Sequence, residues 1–81
     1  MTYLVYVLES KKNGLRYIGF TQDLTSRLKE HNEGRNTSTK KKGPWVLVHS
    51  ESFPTHLLAQ KRERFLKSGH GRKVLTNIFA R

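Results

Sequence analysis

Tyr3-Leu4-Val5-Tyr6-Val7-Leu8-Glu9 and Leu15-Arg16-Tyr17-Ile18-Gly19-Phe20-Thr21, joined through Asn13-Gly14, form the stretch that decides the fold. The first run is β-branched, aromatic and aliphatic in near-continuous order, as expected of a strand buried on much of both faces. The second is shorter and carries Tyr17, Ile18 and Phe20. Asn-Gly between two such runs signals a β-hairpin, because both residues tolerate the positive φ that a primed turn needs. A symmetrical hairpin turning at Asn13-Gly14 sets Tyr6 level with Thr21 and Tyr17 opposite Ser10. The two tyrosines are then offset rather than paired.

Beyond the hairpin the apolar period changes. From Asp23, residues Leu24, Arg27, Leu28 and His31 are spaced at three and four, with Thr21 or Asp23 as N-cap and Gly34 as the stop, which predicts a helix of about ten residues. Arg35 to Lys42 contains no apolar residue and reads as a solvated loop or one ordered by a partner. After Pro44, the segment Trp45 to Phe53 alternates as a third strand, with Trp45, Leu47, His49, Glu51 and Phe53 on one face and Val46 and Val48 on the other. Thr55 caps a second helix through Leu57, Leu58, Arg62, Phe65 and Leu66 to Ser68-Gly69. A last short helix after Gly71 carries Val74, Leu75, Ile78 and Phe79. The order β-β-α-β-α-α predicts a small α+β fold, a three-stranded mostly antiparallel sheet with helices packed on it.

The 81 residues carry 16 Lys plus Arg against 6 Asp plus Glu, a formal charge of +10. This length predicts one domain, 1–81, with a thin core, and argues against a second domain or a large enclosed cavity. The absence of Cys excludes disulfides, Cys-ligated zinc and thiol nucleophiles. No apolar run reaches the roughly 18 residues of a membrane span, and no basic region precedes the apolar start as in a secretory signal, so the expectation is a cytoplasmic protein. So large a positive excess rewards a polyanionic partner.

Two polar residues interrupt the apolar stripe of the first helix. Arg27 and His31 are an i, i+4 pair, so both heads project from one patch beside the sheet and suit an anion. Their plainer reading is a snorkelling arginine and an imidazole at the helix C-terminus. Tyr6 and Tyr17 have a plain reading too, as structural tyrosines with satisfied hydroxyls. Glu63 and Lys67 form a favourable i, i+4 ion pair that needs no further function.

Taken together, these residues resemble the GIY-YIG nuclease domain, and especially its short stand-alone members related to the nuclease domain at the front of an excinuclease. The resemblance rests on Leu4-Val5-Tyr6 in the place of the first triplet, Tyr17-Ile18-Gly19 as the second, Arg27 and His31 in the following helix, and Glu63 in a later one. Leu4 departs from the family's glycine. The resemblance implies an endonuclease that hydrolyses DNA phosphodiesters with magnesium, or manganese in its place. It implies that Glu63 binds the metal, that Arg27 stabilises the charged transition state and that Tyr6 and Tyr17 activate or align water. One carboxylate suffices for magnesium, which keeps several waters and also takes substrate phosphate oxygens. The general base stays open: the resemblance favours Tyr6, whereas the reference pKa of about 6.5 favours His31 over a phenol near 10.

The basic residues fall in two clusters, Arg35, Lys40, Lys41 and Lys42 in the loop and Lys61, Arg62, Arg64, Lys67, Arg72 and Lys73 towards the C-terminus. All ten are expected to bind nucleic acid by gripping phosphates, which sets position and not sequence. Thr37, Ser38 and Thr39 offer hydroxyls beside the lysines, a weak sign of phosphate contact. The leading expectation is a DNA endonuclease of repair or recombination. A non-catalytic module for DNA or structured RNA is the alternative.

Overall fold

The structure is a computed structural model that describes residues 2–35 and 39–79. The elements are β1 (Tyr3–Ser10), β2 (Arg16–Thr21), α1 (Leu24–Asn32), β3 (Trp45–Phe53), α2 (His56–Lys67) and α3 (Gly69–Phe79). The sheet is antiparallel throughout, in the order β2-β1-β3. The central β1 explains why its sequence is apolar without alternation, since Val5, Val7 and Leu8 are completely buried. Val5 and Val7 face α2 and α3, packing with Ala59, Leu66 and Leu75. Tyr6 and Leu8 face the other way, against Trp45, Tyr17, Leu24 and Leu28. One helix, α1, thus covers the face that carries the tyrosines, while α2 and α3 cover the other.

The hairpin register differs from the expected one. Tyr6 pairs with Gly19, and Leu8 with Tyr17. The ribbon closes one step further along, with Ser10 N–H donating to Leu15 O at 2.8 Å and Gly14 N–H to Ser10 O at 2.9 Å. Lys11 to Gly14 therefore form a four-residue loop in which only Gly14, at φ 74°, takes the left-handed conformation. Ser10 drives this choice: its buried Oγ accepts from the backbone N–H of Lys12 and Asn13, and Asn13 Oδ1 accepts from Leu15 N–H. The shift places Tyr6 and Tyr17 on one face as diagonal neighbours.

The face assignment of β3 is also corrected. Val7 pairs with His49 but Leu8 with Leu47, so Val48 is an extra residue in a bulge. A bulge reverses the alternation beyond it. Trp45 packs with Leu8 on the α1 side, whereas His49 meets the Phe79 ring and Glu51 binds Arg62 on the other. The caps are as expected, with Asp23 accepting from Ser26 N–H, Thr55 from Leu58 N–H, and Gly34 at φ 76° ending α1. The last helix begins at Gly69, three residues before the expected start after Gly71, because Ser68 interrupts α2 and Gly71 packs directly beneath its final turn. A β-carbon at Gly71 would overlap the Phe65 carbonyl.

Candidate active site

Tyr6, Tyr17 and His31 come together between the hairpin and α1. The Tyr6 hydroxyl lies 3.1 Å from His31 Nε2. The Tyr17 ring is 4.7 Å from the imidazole and 6.3 Å from the Tyr6 ring, centroid to centroid. The space for this trio comes from Gly19: a β-carbon there would stand 2.6 Å from Tyr6 Oη and 2.8 Å from its Cζ. The glycine of the second triplet is thus a packing requirement of the first tyrosine, a role that spacing in the sequence does not reveal.

His31 sits in the last turn of α1 and is 1% exposed. Its second ring nitrogen, Nδ1, lies 2.7 Å from Thr39 Oγ1. Thr39 is equally buried and accepts a hydrogen bond from Trp45 Nε1 through its carbonyl, at 3.2 Å. Asn32 completes the support, accepting from Trp45 N–H at 2.6 Å and donating to Trp45 O at 3.2 Å. The weak sign of phosphate contact is therefore overturned at Thr39, whose hydroxyl is buried against His31; Thr37 and Ser38 lie outside the described residues. Trp45 selects this outcome, because its indole N–H needs an acceptor once the ring is buried.

Burial pushes the Tyr6 phenol well above its ordinary pKa of 10.0, the neighbouring Tyr17 adds to this, Arg27 opposes it, and Glu30 and Glu63 reinforce it. Burial and Arg27 both hold His31 below its ordinary 6.5, against a smaller opposing effect of Glu30. Both groups are thus neutral near pH 7, a phenol facing an imidazole.

Arg27 acts on both Tyr6 and His31 through its charge, and Glu63 on Tyr6 alone. Arg27 is half-exposed on α1 and ion-paired with Glu30 at 3.6 Å. Glu63 lies on α2 between Ala59 and Leu66, both wholly buried, and its own side chain is only 17% exposed. It does form the expected pair with Lys67, at 3.3 Å, but not as an open surface group. Among the described residues no cluster of three or more His, Asp or Glu could hold a metal ion. A largely covered lone carboxylate fits a hard cation that keeps its waters and takes further ligands from substrate phosphate.

Most of the expected phosphate-binding residues are on the surface. Lys40, Lys41, Lys42, Lys61, Arg64, Arg72 and Lys73 are exposed and form no ion pair among the described residues. Arg35 pairs with Glu33, and Arg62 is drawn into a two-pronged bond with Glu51 on the sheet. A groove of about 670 Å³ runs beside Tyr17, with Arg16, Lys67 and Arg72 on its walls. Arg16 did not figure among the expected contacts; its position beside Tyr17 was the available signal.

Paired tyrosines and a buried histidine meet beneath α1, which also carries Arg27, and Glu63 on α2 acts on the Tyr6 phenol through its charge. The family model of the GIY-YIG catalytic domain matches residues 2–76, and the chain belongs to the GIY-YIG nuclease family. Among its relatives is a UPF0213 protein of Bacillus velezensis, 43% identical over 76% of this chain and 63% of that protein. Another, from Haloquadratum walsbyi, is 39% identical over 82% of this chain and 74% of that one. The structure-specific endonuclease subunit SLX1 of Homo sapiens is 31% identical over 94% of this chain, which corresponds to 30% of its own length. The solution NMR structure of a UPF0213 protein from Bacillus halodurans matches with a TM-score of 0.59 at 33% identity, covering 98% of this chain and 86% of that one. No helix among the described residues is long and apolar enough to cross a membrane.

Proposed function

We propose that residues 1–81 act as a single nuclease domain that hydrolyses DNA phosphodiesters with a divalent metal, in the cytoplasm and in the setting of repair or recombination. The observation that carries this reading is the 3.1 Å contact of the Tyr6 hydroxyl with His31 Nε2, at a phenol that also feels Arg27 and Glu63.

A phenol this strongly protonated is a poor base by itself, and a buried imidazole alone reaches no substrate. Together they form a relay. As water attacks phosphorus, its proton passes to the Tyr6 oxygen while the Tyr6 proton passes to His31 Nε2. The new P–O bond forms as the ester P–O bond breaks, and the leaving oxygen is protonated from solvent. Tyr17 lines the same space and holds the water or a phosphate oxygen in line. Arg27 balances the negative charge that grows on the phosphoryl oxygens. Glu63 would hold magnesium or manganese, which when bound supplies further positive charge at the phosphate. The exposed cations of the loop and of α2 and α3 anchor the flanking backbone.

Nicking of supercoiled plasmid in magnesium or manganese tests this. Wild type is expected to nick, while Tyr6→Phe, Arg27→Ala and Glu63→Ala each lose about 100-fold or more. One observation favours the alternative of a non-catalytic DNA- or RNA-binding module: Tyr6 and His31 are only 2% and 1% exposed, and Glu63 is engaged by Lys67. Retarded DNA with no cutting in any divalent ion would establish that alternative.

A further inference from the structure

We infer that Thr39 is a positioning residue that fixes His31 as its Nδ1–H tautomer, leaving Nε2 free to take the proton of Tyr6. This rests on the relay proposed above but makes a separate claim about the resting protein.

Each buried donor here needs an acceptor. The Tyr6 hydroxyl carries a proton, and among the described residues its hydrogen-bond partner is His31 Nε2. On its other side stands Gly19, which offers no side chain. A buried O–H left without an acceptor is costly, so Nε2 must present its lone pair. In a neutral imidazole this puts the proton on Nδ1, which then needs an acceptor of its own. Thr39 Oγ1 lies 2.7 Å away and serves as one.

Thr39 is held through its carbonyl, which accepts from Trp45 Nε1–H and from Lys42 N–H. Trp45 is in turn clasped by Asn32 at the end of α1 and begins β3 opposite Ser10 of β1. The hydroxyl is thus presented by a rigid corner of three elements, although it belongs to a segment rich in lysine and without apolar residues. The opposite tautomer would direct Nε2–H at the Tyr6 oxygen and strand the phenolic proton. The relay would then have no acceptor.

The test is the ring ¹⁵N spectrum of His31 in metal-free protein at pH 7.5, which reports the tautomer whether or not the protein cuts DNA. Wild type and Thr39→Ser are expected to give the Nδ1–H pattern, and Thr39→Val, which keeps the shape but loses the acceptor, to move towards Nε2–H. In the nicking assay Thr39→Val should lower kcat about 10-fold or more with KM unchanged, and Thr39→Ser should restore it. An Nε2–H tautomer in wild type, or an unchanged Nδ1–H pattern in Thr39→Val, would overturn the inference. Should Thr39→Val fail to fold, the wild-type and Thr39→Ser spectra decide alone. The expected spectra in a wild type that never nicks would overturn the nuclease reading and leave the tautomer assignment standing.

Discussion

At Gly19 a single missing β-carbon sets the position of the phenol. Gly19→Ala should push the Tyr6 ring off His31, lower stability by about 1 to 3 kcal/mol in a denaturant titration, and reduce nicking more than that loss of stability explains. The Tyr6 side chain is rigid and enclosed, so it has no cheap way to yield. His31 gives a second residue-scale prediction, since only the neutral ring can accept a proton. Burial and the Arg27 charge lower its folded pKa, so the acid limb of the rate should lie below pH 6.5. A pH–rate profile already half lost at pH 6.5 or above would contradict His31 as the acceptor. The same depression has a consequence for folding: stability attached to His31 is complete above the unfolded value of about 6.5 and falls as pH drops from there towards the folded value.

Among the elements, β3 and α2 are joined by charge as well as by apolar packing. Arg62 donates to both Glu51 oxygens, at 2.8 and 3.2 Å, and His49 Nε2 lies 2.7 Å from Oε2. Burial opposes ionisation of Glu51, but the bonds from Arg62 and His49 outweigh it and hold the carboxyl below its ordinary 4.5. Glu51 therefore stabilises the fold above pH about 4.5, and this contribution disappears as pH falls through its folded value. Glu51→Gln should destabilise at pH 7 and flatten the dependence of Tm on pH between 5 and 3, while sparing the chemistry of Tyr6 on the opposite face. Where α2 meets α3, Gly71→Ala should be worse tolerated, because backbone stands where the new methyl group would go. A loss of about 3 kcal/mol, or failure to fold, is the expected outcome of thermal denaturation.

At the scale of the whole molecule the charge of +10 makes salt dependence the test of nucleic-acid binding. If six cations meet phosphates, log binding constant against log salt should fall with a slope of about −5. Changing Lys40, Lys41 and Lys42 together to Gln should reduce that slope by about 3 without altering any sequence preference. Arg62→Gln should leave the slope nearly unchanged, since Glu51 already holds that guanidinium. Fluorescence anisotropy over a salt series measures each of these.

The element order, the caps at Asp23 and Thr55, the stop at Gly34 and the large positive charge all follow from the sequence alone, because periodicity, capping and net charge are local or additive quantities. The spaced Tyr6, Tyr17, Arg27, His31 and Glu63 were likewise visible as a pattern, through resemblance. The hairpin register and the faces of β3 were not. One depends on the Ser10 side chain holding a longer loop, the other on a bulge at Val48 that spacing cannot reveal. Thr39 and Gly19 escaped for the same reason. A threonine in a lysine-rich loop becomes buried only once Trp45 turns inward to meet it, and a glycine's missing methyl group matters only against the phenol that the tertiary fold lays across it.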